Sequence, residues 1–591
     1  LLTPCPLGFV HGDIGGTQQA GQIATTIGEG GNADTDPQHD LQAVHLLADR
    51  YPLDQLFGEL GGLFRVFQLQ QRDELIARKD QDILYRQAKI DQLTHELAVL
   101  KRWKFGKSRE HLDPAQASLL DEAIDGDIAA IEVELEQLAP AGAKPSTAPR
   151  TQPKRMPLPA NLPRREVGHE PDSTTCQTPG CGCEMKRIGE DVAERLDYTP
   201  GVFTVERHVR GKWACVHCQT LTQAPVPAQV IDKGIPTSGL LAQVLVAKYA
   251  DHLPLYRQEA IFARAGVTLS RSTLGQWVGE CGVALQPLVD ALKTHILRSS
   301  VLHADESPVQ MLRPARQDGD KSSSKGHGQG HTQRAYCWAY SPAVFEDAKA
   351  VVYDFCDGRA GANARRFLGQ WQGTLVTDDF AGYKALYTQG ITEAGCWAHA
   401  RRKFFDLHAS SQSPMAAQAL AYIGQLYEVE RQAREQAATA QQRGLLRQAK
   451  SKPLLDAMHA WMLLMRHKVM DNSAAAKALD YSLRRWAALS RFLDDPQLPI
   501  DNNHIENLIR PIALGRKNWL FAGSLRAGQR AAAIMSLIQS ARMNGHDPYA
   551  YLKDVLTRLP THKNSQIDDL LPHLWRPACA PPTFTPVSNQ P

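Results

Sequence analysis

The chain has 591 residues, of which 43% are apolar and 22% charged. That balance fits about four domains and excludes wholesale disorder, collagen and coiled-coil-only architectures. Its 66 Lys and Arg against 63 Asp and Glu leave a formal charge of +3, too small for bulk charge to signal nucleic-acid binding, so any basic surface must be local. No stretch approaches the ~18 uninterrupted apolar residues of a membrane helix. The N-terminus lacks the basic and apolar segments of a secretory signal.

In chain order, residues 1–40 are rich in Gly, Thr and Gln and read as disordered. The first residue is Leu rather than Met, which reads as a fragment or as a non-standard start codon translated literally. Residues 41–138 form a helical region in which Leu69, Ile76, Ile83, Ile90 and Leu97 recur every seven positions. That spacing predicts a short coiled coil, with an amphipathic helix packed inside one chain as the alternative. The run KRWKFGKSREH after it reads as a DNA contact or a solvated helix end. Pro-rich residues 139–175 read as a linker.

Residues 176–232 carry clustered cysteines between strand-like pieces, and 237–290 hold three helical segments. Gly266 marks the turn before the third of these and Ser270 its N-cap. This fits a helix-turn-helix with Arg271 as a DNA contact, or three-helix packing without DNA. Residues 299–405 read as three strands, a helix, a strand, a helix and a strand, an α/β unit with a polar loop at 313–333. Helical sequence fills 413–495 and 523–560, a further helix begins soon after 501, and 561–591 read as a tail.

Of 11 cysteines, five fall between Cys176 and Cys218, which predicts a reducing compartment and one metal site rather than a disulfide scaffold. Cys215 and Cys218 form a CxxC, and an upstream pair drawn from Cys176, Cys181 and Cys183 can close a tetrahedral zinc site. His217 is a spare donor; a redox dithiol and unliganded thiols are the other readings.

Three acids stand out by position. Asp305 ends the strand-like VLHAD and Asp378 ends GTLVTD. Glu506 opens a helix whose apolar side is Ile505, Leu508 and Ile509. Carboxylates at neighbouring strand ends plus one from a helix can hold two Mg²⁺ ions ~3.5–4 Å apart. Solvent-facing carboxylates, or a helix ion pair of Glu506 with Arg510, are the plain alternatives.

The wording around these acids resembles the insertion sequence 66 family of bacterial DDE transposases, from about residue 65 to 560. It rests on RWKFGKSREHL, IGEDVAERLDYTPGVFTVERHVRGKWAC, LVAKYADHLPLYRQEAIFARAGVTLSRSTLGQWV, ADESPVQML, VTDDFAGY, CWAHARRKF and IDNNHIENLIRPIALGRKNWLFAGS. The resemblance implies a multidomain α plus α/β chain. Its parts would be a helical or coiled-coil region, a zinc-finger module, a helix-turn-helix and a ribonuclease-H-like core at 299–522 with a helical insertion at 413–495. By position, Asp305, Asp378 and Glu506 match the catalytic acids, and Cys176, Cys181, Cys215 and Cys218 the zinc-finger cysteines.

Three departures stand beside the match. The first cysteine pair is wider than CxxC, Asp379 replaces the usual Gly, and the loop at 313–333 is long. Cys396 and His399 read as lying on the strand after the second acid, as packing or as active-site support. Arg401, Arg402, Lys403, Arg510, Arg516 and Lys517 supply local charge for phosphate contacts. Trp519 and Phe521 suit base stacking or core packing.

The implied activity is Mg²⁺ (or Mn²⁺)-dependent cleavage of an element's 3′ ends and their joining to target DNA. Terminal inverted repeats would be bound by a homo-oligomer in the bacterial cytoplasm, with accessory proteins of the same element as candidate partners. A catalytically inactive transposon-derived DNA-binding protein and a nuclease that cuts without joining are the rivals.

Overall fold

In the computed structural model the described residues are 53–105, 114–138 and 158–577, without 161, 200, 233, 313–331 and 347–348. The expectations for residues 1–40, for Gly106–His111, for the Pro-rich stretch up to 157 and for the loop after Leu312 lie outside them. The heptad falls on one helix, α1 (Leu53–Phe105). Of the described residues, 53–89 belong to one unit and those from Ile90 to another. In the first unit Ile76 and Ile83 are 53% and 62% exposed, so at these two positions the stripe is not packed within the chain.

The second unit begins with the last part of α1, where Lys101 pairs with Glu132 of α2 (Pro114–Leu138) across 2.9 Å. A four-stranded sheet follows, made of β1 (Arg164–His169), β2 (Met185–Thr199), β3 (Val202–Cys215) and β4 (Leu221–Gln223). β2 and β3 are a long antiparallel hairpin, its tight turn met by Gly201 at φ +93°. β1 pairs parallel with β3, from Arg164 beside Val205 to His169 beside Arg210, and lies inside the stretch expected to be linker.

Three helices come next, α3 (Ser238–Tyr249), α4 (Leu255–Arg264) and α5 (Arg271–Ile296). Gly266 makes the α4–α5 turn at φ +81°, and the Ser270 hydroxyl accepts from the Thr273 N–H as an N-cap. Most of α5 is buried. At Gly279 a Cβ would lie 2.3 Å from the Gly126 carbonyl oxygen of α2, so only glycine permits this approach. The first turn of α5, with Arg271, is left half-buried and Gln276 exposed.

The second sheet has five strands in the order β7-β6-β5-β8-β9. β5 (Val301–Leu312), β6 (Thr332–Pro342) and β7 (Val352–Cys356) are antiparallel neighbours, whereas β8 (Thr374–Val376) and β9 (Thr392–Ala394) run parallel to β5. α6 (Gly361–Leu368) crosses between β7 and β8. One core joins the hairpin, α3–α5, this sheet and the final helices.

After β9, α7 (Trp397–Ser411) leads into five helices, α8 (Pro414–Glu435), α9 (Ala440–Leu446), α10 (Lys452–Lys468), α11 (Ala474–Arg484) and α12 (Trp486–Ser490). They bury Ile423, Leu455, Met458, Leu479 and Phe492 in a second core with Val301 and Val376 of the sheet. A π turn at Arg447–Ser451 joins α9 to α10. There the fully buried Arg447 holds Glu430 bidentately at 2.8 and 2.9 Å and donates to the Phe492 carbonyl.

The chain then returns to the sheet through α13 (Asn503–Trp519), which buries Ile505, Leu508 and Ile509 as its periodicity predicts. α14 (Leu525–Met543) covers the sheet edge, where its Ser536 and Ser540 hydroxyls accept from the Tyr353 and Val351 N–H groups. α15 (Pro548–Arg558) follows, and Leu570, Leu571 and Trp575 pack into the core, so the expected tail is structured as far as residue 577. Among the described residues no helix is long and apolar enough to cross a membrane.

Candidate active site and zinc module

Asp305 is the fifth residue of a twelve-residue strand rather than the end of a short one. On β5, only Val301–His303 pair with β8, so Asp305 lies just past the end of that parallel pairing. Asp378 lies two residues past β8. The expected strand ends are therefore ends of pairing, which the sequence of one strand does not reveal. Glu506 stands on the first turn of α13.

Burial pushes the Asp305 carboxyl up to about 8, and Glu306, Asp378 and Glu506 add to the rise by repulsion. The structure thus brings Asp378 and Glu506 within electrostatic reach of Asp305. Asp305 Oδ1 accepts the Glu306 N–H at 2.8 Å and Asp378 Oδ1 the Phe380 N–H at 2.9 Å. A buried carboxyl that neighbouring acids raise further is relieved by a cation, and hard oxygen donors suit Mg²⁺. The donor chemistry fits that ion.

Asn502 holds this arrangement together. Its Nδ2 donates to the Ala304 carbonyl at 2.9 Å, and its Oδ1 lies 2.7 Å from Nδ1 of His303. Burial pushes His303 down to about 3, so its ring is neutral, and Nδ1 must carry the hydrogen that Oδ1 accepts. Asn502 also accepts the Glu506 N–H at 3.3 Å through its carbonyl. One side chain therefore fixes the start of α13 to the strand residues just before Asp305.

Two further groups escaped the sequence reading. Glu306 is buried and takes a hydrogen bond from Arg359 Nε at 2.7 Å and one from the Tyr383 hydroxyl at 2.9 Å. Arg485, from α11–α12 in the insertion, donates to the Asp378 carbonyl at 3.3 Å and to Glu393 at 2.5 Å, with Asp379 3.7 Å away. Glu306 lay in the quoted ADESPVQML and Asn502 in the DNN that precedes Glu506, whereas nothing marked Arg485.

Cys396 and His399 are corrected in place: β9 ends at Ala394, Cys396 is the N-cap of α7 and His399 lies in its first turn. Trp397, Ala400 and Phe404 in this segment are all buried at helical spacing. The near charge partner of Glu506 is His399, with Nδ1 3.7 Å from Oε1. Arg401, Arg402, Lys403, Arg510 and Lys517 are exposed, whereas Arg516 donates to the Pro308 carbonyl at 2.7 Å and is tied to β5. Trp519 and Phe521 pack against apolar cores.

In the small sheet the sulfurs of Cys176, Cys181, Cys215 and Cys218 all lie within 4.8 Å of one another. Cys176 and Cys218 approach to 3.0 Å and Cys181 and Cys215 to 3.6 Å, all as free thiols. Gly180 and Gly182, at φ +82° and +59°, turn the chain tightly around Cys181 and so absorb the wide spacing. Cys183 instead turns its thiol back to the Cys181 carbonyl at 3.3 Å. Hydrogen bonds with Thr220 and Cys176 pull the Cys218 thiol down to about 5. Four convergent sulfurs, one readily ionised, fit a structural Zn²⁺.

Comparison with known proteins adds four matches. Residues 233–530 match the family model described as Transposase IS66 family, and 536–573 that of the IS66 C-terminal element. Residues 174–219 match the zinc-finger binding domain of transposase IS66, and 92–167 Transposase C of IS166 homeodomain. Relatives in Sinorhizobium fredii (strain NBRC 101917 / NGR234) carry the names uncharacterized protein y4jD and uncharacterized protein y4qI. The first is 35% identical over 516 residues, covering 84% of this chain and 97% of its own. The second is 37% identical over 507 residues, covering 83% and 90%.

Proposed function

The chain belongs to the IS66 family of transposases, and from that premise we propose that it cleaves the 3′ ends of its own element and joins them to target DNA. What supports this reading is the buried carboxyl of Asp305, which the charges of Asp378 and Glu506 help to raise. The order β7-β6-β5-β8-β9, three antiparallel strands followed by two parallel ones, supports a ribonuclease-H-like core around them.

Asp305, Asp378 and Glu506 would hold Mg²⁺, or Mn²⁺. That ion, when bound, supplies charge stabilisation at the phosphodiester and a more acidic water or 3′-hydroxyl. The chain's own residues do the positioning. Asn502 sets Glu506 against β5, and Arg485 pins the loop that carries Asp378. Arg401, Arg402, Lys403, Arg510 and Lys517 present exposed charge on the helices that also carry His399 and Glu506, suited to phosphate contacts.

The Cys176–Cys218 module with Zn²⁺, and the first turn of α5 with Arg271, would recognise the terminal inverted repeats. The exposed Ile76 and Ile83 of the α1 heptad would pair protomers. A cytoplasmic site of action, and help from accessory proteins of the same element, complete the proposal.

The test is transposition of a marked element with native ends, in cells, by the intact protein and by Glu506→Gln. Movement lost only in the variant supports the reading, and equal movement in both refutes the catalytic acids. No movement in either, with end binding retained, favours an inactive DNA-binding protein.

A further inference from the structure

Glu506 stands near two different donor sets. One is the all-oxygen set of Asp305 and Asp378, of which Asp305 is raised by the Glu506 charge. In the other, the thiol of Cys396, a ring nitrogen of His399 and a Glu506 oxygen all lie within 4.8 Å of one another. His399 Nδ1 and Glu506 Oε1 are both shut off from solvent with no hydrogen-bond partner. Their 3.7 Å separation is too long for a hydrogen bond between them. Two buried polar atoms facing each other across that gap beside a fully buried thiol leave an unmet requirement.

The scaffold holds these donors in place. Cys396 and His399 are the N-cap and third residue of α7, which puts both side chains at one helix end. The Asn502 N–H donates to the Cys396 sulfur at 3.2 Å, and the Trp397 N–H to the Ile500 carbonyl at 3.1 Å. These two bonds lock the start of α7 to the segment that enters α13. Small side-chain rotations would bring sulfur, nitrogen and oxygen to the ~2.0–2.3 Å that a tetrahedral zinc ion requires.

We propose that Cys396, His399 and Glu506 form a second metal site, selective for Zn²⁺ over Mg²⁺, which shares Glu506 with the carboxylate site. Thiolate and imidazole are donors that Zn²⁺ accepts and Mg²⁺ does not. On binding, the Cys396 sulfhydryl proton passes to solvent, and thiolate and carboxylate together balance the ion's charge. The His399 and Glu506 side chains are 26% and 28% exposed, which leaves the fourth position to water. The consequence for catalysis rests on the role of Glu506 proposed above: an ion here draws that carboxylate away from Asp305 and Asp378, so Zn²⁺ inhibits cleavage. The binding itself does not depend on that role.

The full-length chain, dialysed against Zn²⁺ and then freed of excess ion, is expected to retain a second equivalent beyond the one held by the four-cysteine module. Cys396→Ala and His399→Gln should each lose that equivalent. His399 is partly exposed, so its variant keeps the test valid if Cys396→Ala does not fold. A Cys215→Ser chain loaded with Co²⁺ should show a thiolate-to-cobalt absorption band that His399→Gln weakens. Retention of a single equivalent by the intact chain, or an unchanged second equivalent in both variants, overturns the proposal. A second equivalent in a chain that never cleaves DNA leaves this site standing and removes the proposed function. Cleavage by a chain with one equivalent does the reverse.

Discussion

Arg485 donates a hydrogen bond to the backbone carbonyl of Asp378 across 107 residues of sequence. Through it the helical insertion holds the loop of the second acid, and the same guanidinium is paired with Glu393 and stands 3.7 Å from Asp379. Arg485→Lys keeps the charge but loses the fork. We expect at least a tenfold loss of transposition with secondary structure retained, read by circular dichroism. Transposition equal to the unaltered chain would show that the insertion does not position Asp378.

The four-cysteine module separates Cys181 from Cys183. Cys215→Ser and Cys181→Ser should each abolish bound Zn²⁺ at this module and melt the β2–β3 hairpin end, because the metal supplies folding energy there. Cys183→Ser should retain the ion, since that thiol is spent on the Cys181 carbonyl. Metal content and end-binding affinity check both halves.

Asp305 sets a pH dependence in Mg²⁺-free buffer. The folded carboxyl holds its proton up to about 8, against 3.8 for the ordinary group. Between those values the folded state binds the extra proton, so stability falls as pH rises. Asp305→Asn stays neutral, so it should exceed the unaltered chain by roughly 2–5 kcal/mol at pH 8 and by nothing at pH 3.5. Denaturant midpoints measure the gap, which added Mg²⁺ should narrow.

Arg447 is the keystone of the insertion. Arg447→Ala strands the buried Glu430 carboxylate and frees two carbonyls, at a cost of about 3–5 kcal/mol. Adding Glu430→Leu should recover part of that loss. Thermal unfolding of the two variants tests the coupling.

Charge at the DNA surface divides by what each side chain already holds. Arg401→Gln, Arg402→Gln and Lys517→Gln should each weaken DNA binding for all sequences and lower the salt slope by about 1. Arg516→Gln should cost stability as well, because its guanidinium ties α13 to the Pro308 carbonyl. Filter binding across a salt series, with melting curves, distinguishes the two behaviours.

Much of this molecule was legible along the chain. Periodicity alone placed the Ile505, Leu508 and Ile509 face of α13, the Ser270 cap and the Gly266 turn, since each depends on residues within one or two turns of backbone. The family resemblance singled out Asp305, Asp378 and Glu506 as candidate acids, and the cysteine spacing offered a metal site without fixing its upstream pair. What the sequence could not settle depends on distant partners. The short pairing of β8 decides where β5 offers Asp305, and Gly180 and Gly182 decide that Cys181 rather than Cys183 joins the sulfur cluster. Packing also turned Cys396 and His399 from a strand into the head of a helix facing Glu506. Asn502 and Arg485 acquired their roles only when segments far apart in the chain closed on one another. Local patterns encode which face of an element is buried; which polar groups then meet is decided by how the elements pack.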